Sequence, residues 1–134
     1  MDSSTHELSL AQRKLFLVRA WRGRCPQCGE GALFLRYARL RGSCEACGLV
    51  YRREQGAMTG SMYLSAIATE IFAALIALVI FFATPWSIPV SLAVSVPLVI
   101  AFAWLWFPRS MGLWVAIEYT TDVHNQESWA RPRA

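Results

Sequence analysis

Two long apolar runs that follow a basic, cysteine-containing segment predict a membrane α-helical hairpin with a small N-terminal β domain. The chain of 134 residues is 55% hydrophobic and 16% charged, whereas soluble domains carry about 25% charged residues. Residues 1–58 hold all four cysteines and most of the basic residues, and residues 59–107 hold a single charged side chain, Glu70. This distribution excludes an ordinary soluble domain and a disordered chain, and the length leaves no room for a large catalytic domain.

The predicted hairpin, residues 59–107, contains two apolar runs at residues 60–83 and 88–107. Each run is long enough to cross a hydrocarbon core of about 30 Å, because an α-helix rises about 1.5 Å per residue. Residues 84–87 leave almost no loop between the runs, so the two helices are expected to be antiparallel. A buried core hairpin in a soluble protein is the alternative, and two runs of this length in so short a chain disfavour it.

The basic residues predict how the hairpin lies in a membrane. All 13 of them precede the first run or follow the second, and the positive-inside rule assigns that side to the cytoplasm. We therefore expect a multi-pass protein of the inner (cytoplasmic) membrane, with two spans and both termini cytoplasmic. Residues 1–7 lack the apolar region of a signal peptide. Trp86 at the far interface and Arg109 at the near one are expected to anchor the spans.

Four cysteines in two matching turns predict a metal site in residues 22–58. Each turn places two thiols close together, and the glycine after its second cysteine allows a positive φ that points backbone N–H groups at the sulfurs. Paired turns of this kind form the tetrahedral Cys₄ site of a zinc ribbon, and a reducing cytoplasm disfavours disulfides. The predicted ligands are Cys25, Cys28, Cys44 and Cys47.

Zinc in a structural role is the favoured occupant of this site. The protein supplies all four ligands, so no coordination position is left for water or substrate. Four thiolates with one Zn²⁺ carry two net negative charges, which lowers the formal charge of the chain from +4 to +2. Iron is the alternative, because a tetrahedral S₄ site of the rubredoxin kind accepts either metal. Iron would make the protein an electron carrier.

Within the ribbon, residues 32–37 and 49–52 are strand candidates, expected to form two short β-hairpins. Several arginines are expected around the cysteine turns, where they partly neutralise the negative charge of the metal site. These arginines are Arg22, Arg24, Arg41, Arg52 and Arg53.

Glu70 lies about ten residues into the first span, near the bilayer centre, where a carboxylate costs about 2.5–3.5 kcal/mol. Small residues at helical spacing around it form a face suited to close helix packing, namely Ala66, Ala73, Ala74 and Ala77. An antiparallel hairpin places Trp104 at a similar depth, so its indole N–H is the expected donor to the carboxyl group. Two roles remain open: a protonated carboxyl bonded across the hairpin or to a second copy, and a proton-relay or partner-recognition group.

Two segments flank the ribbon and the hairpin, residues 1–21 and 108–134. The pattern from Ser9 to Trp21 predicts a short amphipathic helix that lies on the membrane surface. Its expected apolar face comprises Leu8, Ala11, Leu15 and Val18. After Pro108 the chain either continues the second span or lies along the interface.

The segment from Arg24 to Phe34 (Arg-Cys-Pro-Gln-Cys-Gly-Glu-Gly-Ala-Leu-Phe), followed by Cys44-x-x-Cys47-Gly48 and two spans, resembles the bacterial domain of unknown function 983 family. A branch of that family has motifs similar to Glu54-x-Gly56-x-x-x-Gly60-x-Met62-Tyr63 and Arg109-Ser110-x-x-x-Trp114. The similarity covers residues 20–122. Several relatives carry Asp-Gly-Pro-Ala before the first span, where this chain has Gln-Gly-Ala-Met at residues 55–58. The resemblance implies a zinc-ribbon head plus two transmembrane helices. Some members are encoded near assembly genes of haem-copper respiratory oxidases, which implies an assembly role.

The sequence predicts a protein without enzymatic activity. It contains no nucleophile elbow, Gly-rich phosphate loop or H-E-x-x-H motif, and no small-molecule substrate is evident. The expected partners are the lipid bilayer and either another membrane protein or a second copy, bound through the hairpin, as for a scaffold or assembly factor. The alternatives are a membrane-tethered nucleic-acid or ribosome binder and an iron-loaded electron carrier. Nucleic acid is disfavoured, because the ribbon arginines neutralise the metal site.

Overall fold

The computed structural model describes residues 8–51 and 58–130. Along the chain it contains helix α1 (Leu10–Trp21), strands β1 (Phe34–Arg36) and β2 (Arg39–Leu40), and helices α2 (Thr59–Ala83) and α3 (Ile88–His124). The fold class predicted from the sequence is confirmed, since two long apolar helices form a hairpin and a small N-terminal region of strands holds a four-cysteine cluster.

α2 and α3 are each long and apolar enough to cross a membrane. They pack antiparallel, with the rings of Phe72 and Phe102 stacked at a centroid distance of 4.1 Å. The most apolar stretch of each helix is not buried inside the protein. The core helices of a soluble protein would bury such a surface, so the exposure argues against the alternative of a buried core hairpin.

α3 continues well past the second apolar run, without a break at Pro97 or Pro108. The segment after Pro108 therefore extends the second apolar helix. At about 1.5 Å per residue, residues 108–124 extend it by about 25 Å. We call this part, residues 108–124, the α3 extension.

α1 packs against the α3 extension. Ser9 caps its first turn in a capping box with Gln12, and its two buried residues, Phe16 and Ala20, face α3. The ring of Phe16 meets Tyr119 edge-on at a centroid distance of 5.1 Å. Gly112 permits the close approach, because a Cβ at that position would lie 2.8 Å from the Ala20 carbonyl oxygen.

This packing uses a face of α1 that the sequence pattern did not single out. Leu15 and Val18 on the expected apolar face remain 39% and 47% exposed, while the opposite face makes the contact with α3. Both faces of α1 carry apolar side chains, and the α3 extension provides a protein partner for the face with Phe16. The helix is therefore part of the folded head through this face, and its position on the membrane surface stays a prediction.

Residues 22–51, which follow α1, have less strand than the sequence predicts. Residues 32–37 contain β1, which pairs antiparallel with β2 through the register pairs Phe34–Leu40 and Arg36–Arg39. In the described part of the second predicted hairpin there is one isolated bridge, between Ser43 and Val50, and residue 52 of the predicted strand lies outside the described residues. Most backbone hydrogen bonds around the two cysteine turns close local loops, so little of this region is left to form strands.

The turn between β1 and β2 is fastened to α3 just before the α3 extension begins. The Tyr37 ring stacks on Trp104 at a centroid distance of 4.8 Å, and its hydroxyl donates a hydrogen bond to the Trp104 carbonyl oxygen. In a regular helix that oxygen accepts from the N–H of residue 108, which here is proline and has no N–H. Tyr37 therefore satisfies a carbonyl group that Pro108 leaves without its helical donor.

We expect Tyr37→Phe to lower the stability of the intact protein by about 1 kcal/mol, the usual net contribution of one hydrogen bond. In a Pro108→Ala background the effect should be smaller, because the backbone N–H that this substitution restores can bond to the Trp104 oxygen. Thermal unfolding of the four proteins in detergent measures both effects. An equal loss in the two backgrounds would contradict this account of the contact.

Candidate metal centre

The two cysteine turns have the same local geometry. The Gly29 N–H donates to the Cys25 carbonyl oxygen at 2.8 Å, and the Gly48 N–H donates to the Cys44 carbonyl oxygen at 2.9 Å. Gly29 and Gly48 have φ angles of +75° and +76°, in the left-handed region that favours glycine. The positive φ predicted after each Cys-x-x-Cys pair is confirmed.

These turns bring the four predicted ligands, Cys25, Cys28, Cys44 and Cys47, into one cluster. All four sulfur atoms lie within 4.8 Å of one another, and the Cys25–Cys47 and Cys28–Cys44 pairs are 3.7 Å apart. The ligands of a tetrahedral metal with bonds of about 2.3 Å lie about 3.8 Å apart. All four cysteines are free thiols, so the cluster has the spacing and the donor atoms to hold a metal ion.

Gly31 allows the second turn to approach the first. A Cβ on Gly31 would collide with the sulfur of Cys44, because the backbone of the first turn passes directly beside that ligand. Gly42, on the other side of Cys44, has open space around it. Gly31 therefore lies against the cluster and Gly42 lies away from it, so that the same substitution at the two positions can be compared.

Arg19 of α1 holds the backbone of the first turn. Its guanidinium donates to the carbonyl oxygens of Pro26 and Gln27, each at 3.2 Å. These hydrogen bonds orient the two carbonyl groups toward α1. They also place the positive charge of the guanidinium beside the first cysteine turn. Arg19 was not among the residues predicted from the sequence, because it lies six residues before the first cysteine on a different element.

Two tyrosine hydroxyls near the cluster were also not predicted from the sequence. The Tyr51 hydroxyl is buried without a hydrogen-bond partner in the described part of the chain, and burial, followed by the nearby Cys25 and Cys44 thiols, raises the pKa of Tyr51. The Tyr119 hydroxyl of α3 is likewise buried and unpartnered among these residues, within electrostatic reach of Cys25 and Cys47. Metal-bound thiolates would give such O–H groups acceptors, so these buried hydroxyls fit a loaded site.

The pKa values of Cys25, Cys44 and Cys47 are shifted in different directions. Burial raises the pKa of Cys25 and of Cys47. Burial acts in the same direction on Cys44, but the nearby Tyr51 hydroxyl and the backbone N–H groups of Cys47 and Ala46 outweigh it and lower the pKa of Cys44 to about 6. Metal ligands must be deprotonated, and the lowered pKa of Cys44 favours its thiolate form.

The arginines that were predicted to lie around the cysteine turns make different contacts. Arg24 donates to the Glu30 carbonyl oxygen at 3.3 Å, and Arg41 forms an ion pair with Glu45. Arg22 lies at the end of α1 as its C-cap. Arg52 and Arg53 lie outside the described residues, as do residues 54–57 of the motif before the first span.

The predicted pair of Glu70 and Trp104 is not formed. Glu70 is exposed in the middle of α2, and no hydrogen bond or ion pair joins it to any residue that the structure describes. Trp104 is 63% exposed and stacks on Tyr37. Glu70 and Trp104 were expected at a similar depth in the membrane, but similar depth does not make two side chains on antiparallel helices face each other. The prediction of this hydrogen bond is therefore wrong.

The two predicted anchors lie at opposite ends of the hairpin. Arg109 is exposed, donates to the Leu105 carbonyl oxygen at 3.1 Å, and places its guanidinium over the Trp21 ring at 5.4 Å. Trp86 is exposed in the turn between α2 and α3. Their role as membrane anchors stays a prediction.

Comparison with known proteins identifies a family. The family model DUF983, described as a protein of unknown function, matches residues 34–119. The match contains the second cysteine turn, both apolar helices and Tyr119. No curated protein and no solved structure matches the chain.

We expect Gly31→Ala to weaken metal binding by at least about tenfold, the lower end of the effect of disturbing the groups that orient metal ligands. The added methyl group would displace the Cys44 sulfur, whereas Gly42→Ala introduces the same group into open space and should bind metal as the original protein does. Titration with a chromophoric chelator measures both affinities. Equal affinities for the two variants would contradict the assigned role of Gly31.

Proposed function

The chain belongs to the DUF983 family of proteins of unknown function, and we propose that it is a non-enzymatic membrane scaffold whose hairpin binds another membrane protein. The hairpin spans the inner membrane, and the ribbon with both termini lies in the cytoplasm. All 13 basic residues support this orientation, because they lie outside the two apolar runs on the side of the ribbon.

The metal of the proposed scaffold is zinc, in a structural role. Four protein thiols surround the site, and two of them, Cys25 and Cys44, are buried, which leaves no position for a substrate. Bound zinc supplies folding free energy to a head that is too small to be stable through its own core. A colourless protein with one zinc per chain supports this assignment, and a red protein with visible absorption would replace it with an iron electron carrier.

The exposed carboxyl group of Glu70 is the observation that carries the proposed partner binding. It projects from the middle of a helix long enough to span a membrane, and no described residue of this chain satisfies it. A carboxyl group in lipid is costly unless it meets a donor or a cation. A helix of another membrane protein that offers such a group at that depth would satisfy it.

The surface around Glu70 suits close packing of a second helix. Ala66 and Ala74, one turn on either side, are exposed, and small side chains let two helix backbones approach closely. A second copy is a poorer occupant, because it brings a second carboxyl group to the same surface. The resemblance to family members encoded near haem-copper oxidase assembly genes supports assembly of a respiratory complex as the process.

We expect the intact tagged protein to co-purify with one membrane protein in mild detergent, and Glu70→Leu to lose that partner. Glu70→Gln retains hydrogen bonding and should retain part of the partner. The control is Val79→Ala, an exposed position on the opposite side of α2.

Quantitative mass spectrometry of the co-purified proteins measures partner recovery. Undiminished recovery with Glu70→Leu would overturn the role of Glu70. A partner-free monomer from the original sequence would overturn the scaffold proposal, and capture of only a second copy would replace it with self-association.

A further inference from the structure

We propose that the turn of the β1–β2 hairpin binds the headgroup of an anionic phospholipid through Arg36 and Arg39. This inference rests on the proposed function in one respect, because it requires the α2–α3 hairpin to lie in a membrane. It adds a specific lipid ligand to the ribbon, which is otherwise a structural metal site.

Arg36 and Arg39 face each other across the hairpin, and none of the described residues supplies a counter-charge to them. They form a register pair between β1 and β2, both are exposed, and no residue in the described ranges forms a hydrogen bond or an ion pair with either guanidinium. Like charges directly opposite each other on paired strands are destabilising. An anion between them would remove the repulsion, and guanidinium groups bind phosphate with paired hydrogen bonds.

The turn that joins the two arginines is held against the spanning helix at the predicted interface. Tyr37, next to Arg36, stacks on Trp104 and donates to its carbonyl oxygen. Trp104 lies little more than one helical turn before Arg109, whose guanidinium covers Trp21. Aromatic and arginine side chains of this kind concentrate at the headgroup level, so the arginine pair is held at the depth of the lipid phosphates.

The exposed surface beside the arginine pair favours a lipid over other phosphate compounds. Leu35, Tyr37 and Trp104 are all exposed apolar or aromatic residues; the first two flank Arg36 along the chain, and Trp104 stacks on Tyr37. Such a surface can contact the glycerol and upper acyl chains of a phospholipid while the arginines bind its phosphate. A nucleic-acid backbone or free phosphate would leave the exposed surface of these side chains in contact with water.

The test uses the intact protein in micelles that contain equal amounts of phosphatidylglycerol and phosphatidylcholine, with the lipids that co-purify counted by native mass spectrometry. We expect the original protein to retain phosphatidylglycerol selectively, and Arg36→Gln/Arg39→Gln to reduce that retention about tenfold. The control, Arg13→Gln/Lys14→Gln, removes the same charge from exposed positions on α1 and should leave retention unchanged. Excess inorganic phosphate should not displace the lipid.

Several outcomes would overturn the inference: an equal loss in the two double variants, unchanged retention in the Arg36/Arg39 variant, or displacement by inorganic phosphate. Extraction of the protein from membranes by alkaline carbonate would instead overturn the membrane placement and the proposed function with it. Capture of the membrane partner by the Arg36/Arg39 variant shows that this variant still folds. Loss of lipid with partner capture retained therefore separates the lipid site from the scaffold role.

Discussion

The cysteine cluster and the α3 extension share one hydrophobic core, and the architecture of the head depends on that contact. Cys25, Leu33 and Cys44 of the ribbon belong to the same buried cluster as Val115 and Tyr119 of α3. A ribbon of this size has too little core of its own to be stable. Burial against the helix stabilises one folded unit, which contains both the ribbon and the C-terminal end of α3, and a metal bound by the cysteines would stabilise the same unit.

This arrangement explains why α3 continues so far beyond the apolar run. Residues 108–124 provide a rigid surface on which α1 and the ribbon pack, with Gly112 allowing the backbone of α1 to come close. Tyr37 fastens the far side of the ribbon to Trp104. The head therefore has a fixed position relative to α3, as the proposed scaffold role would require.

The sequence was sufficient for features that depend on neighbouring residues. A Cys-x-x-Cys-Gly turn forms locally, so the ligands and the positive φ at Gly29 and Gly48 were predictable, and the apolar runs depend on composition alone. Contacts between distant elements were not predictable. Both faces of α1 are apolar, so its pattern could not show that Phe16, and not Leu15, meets α3. Depth alone could not set the rotation of α2 that turns Glu70 away from Trp104.

The most direct test of the shared core is backbone hydrogen exchange of the intact protein in detergent, before and after metal is removed with a chelator. If the cluster stabilises the α3 extension, removal should accelerate exchange at residues 110–123 and in α1, while residues 64–80 of α2 stay protected. Accelerated exchange confined to residues 24–51, with the α3 extension unchanged, would contradict the account and make the ribbon an independent unit.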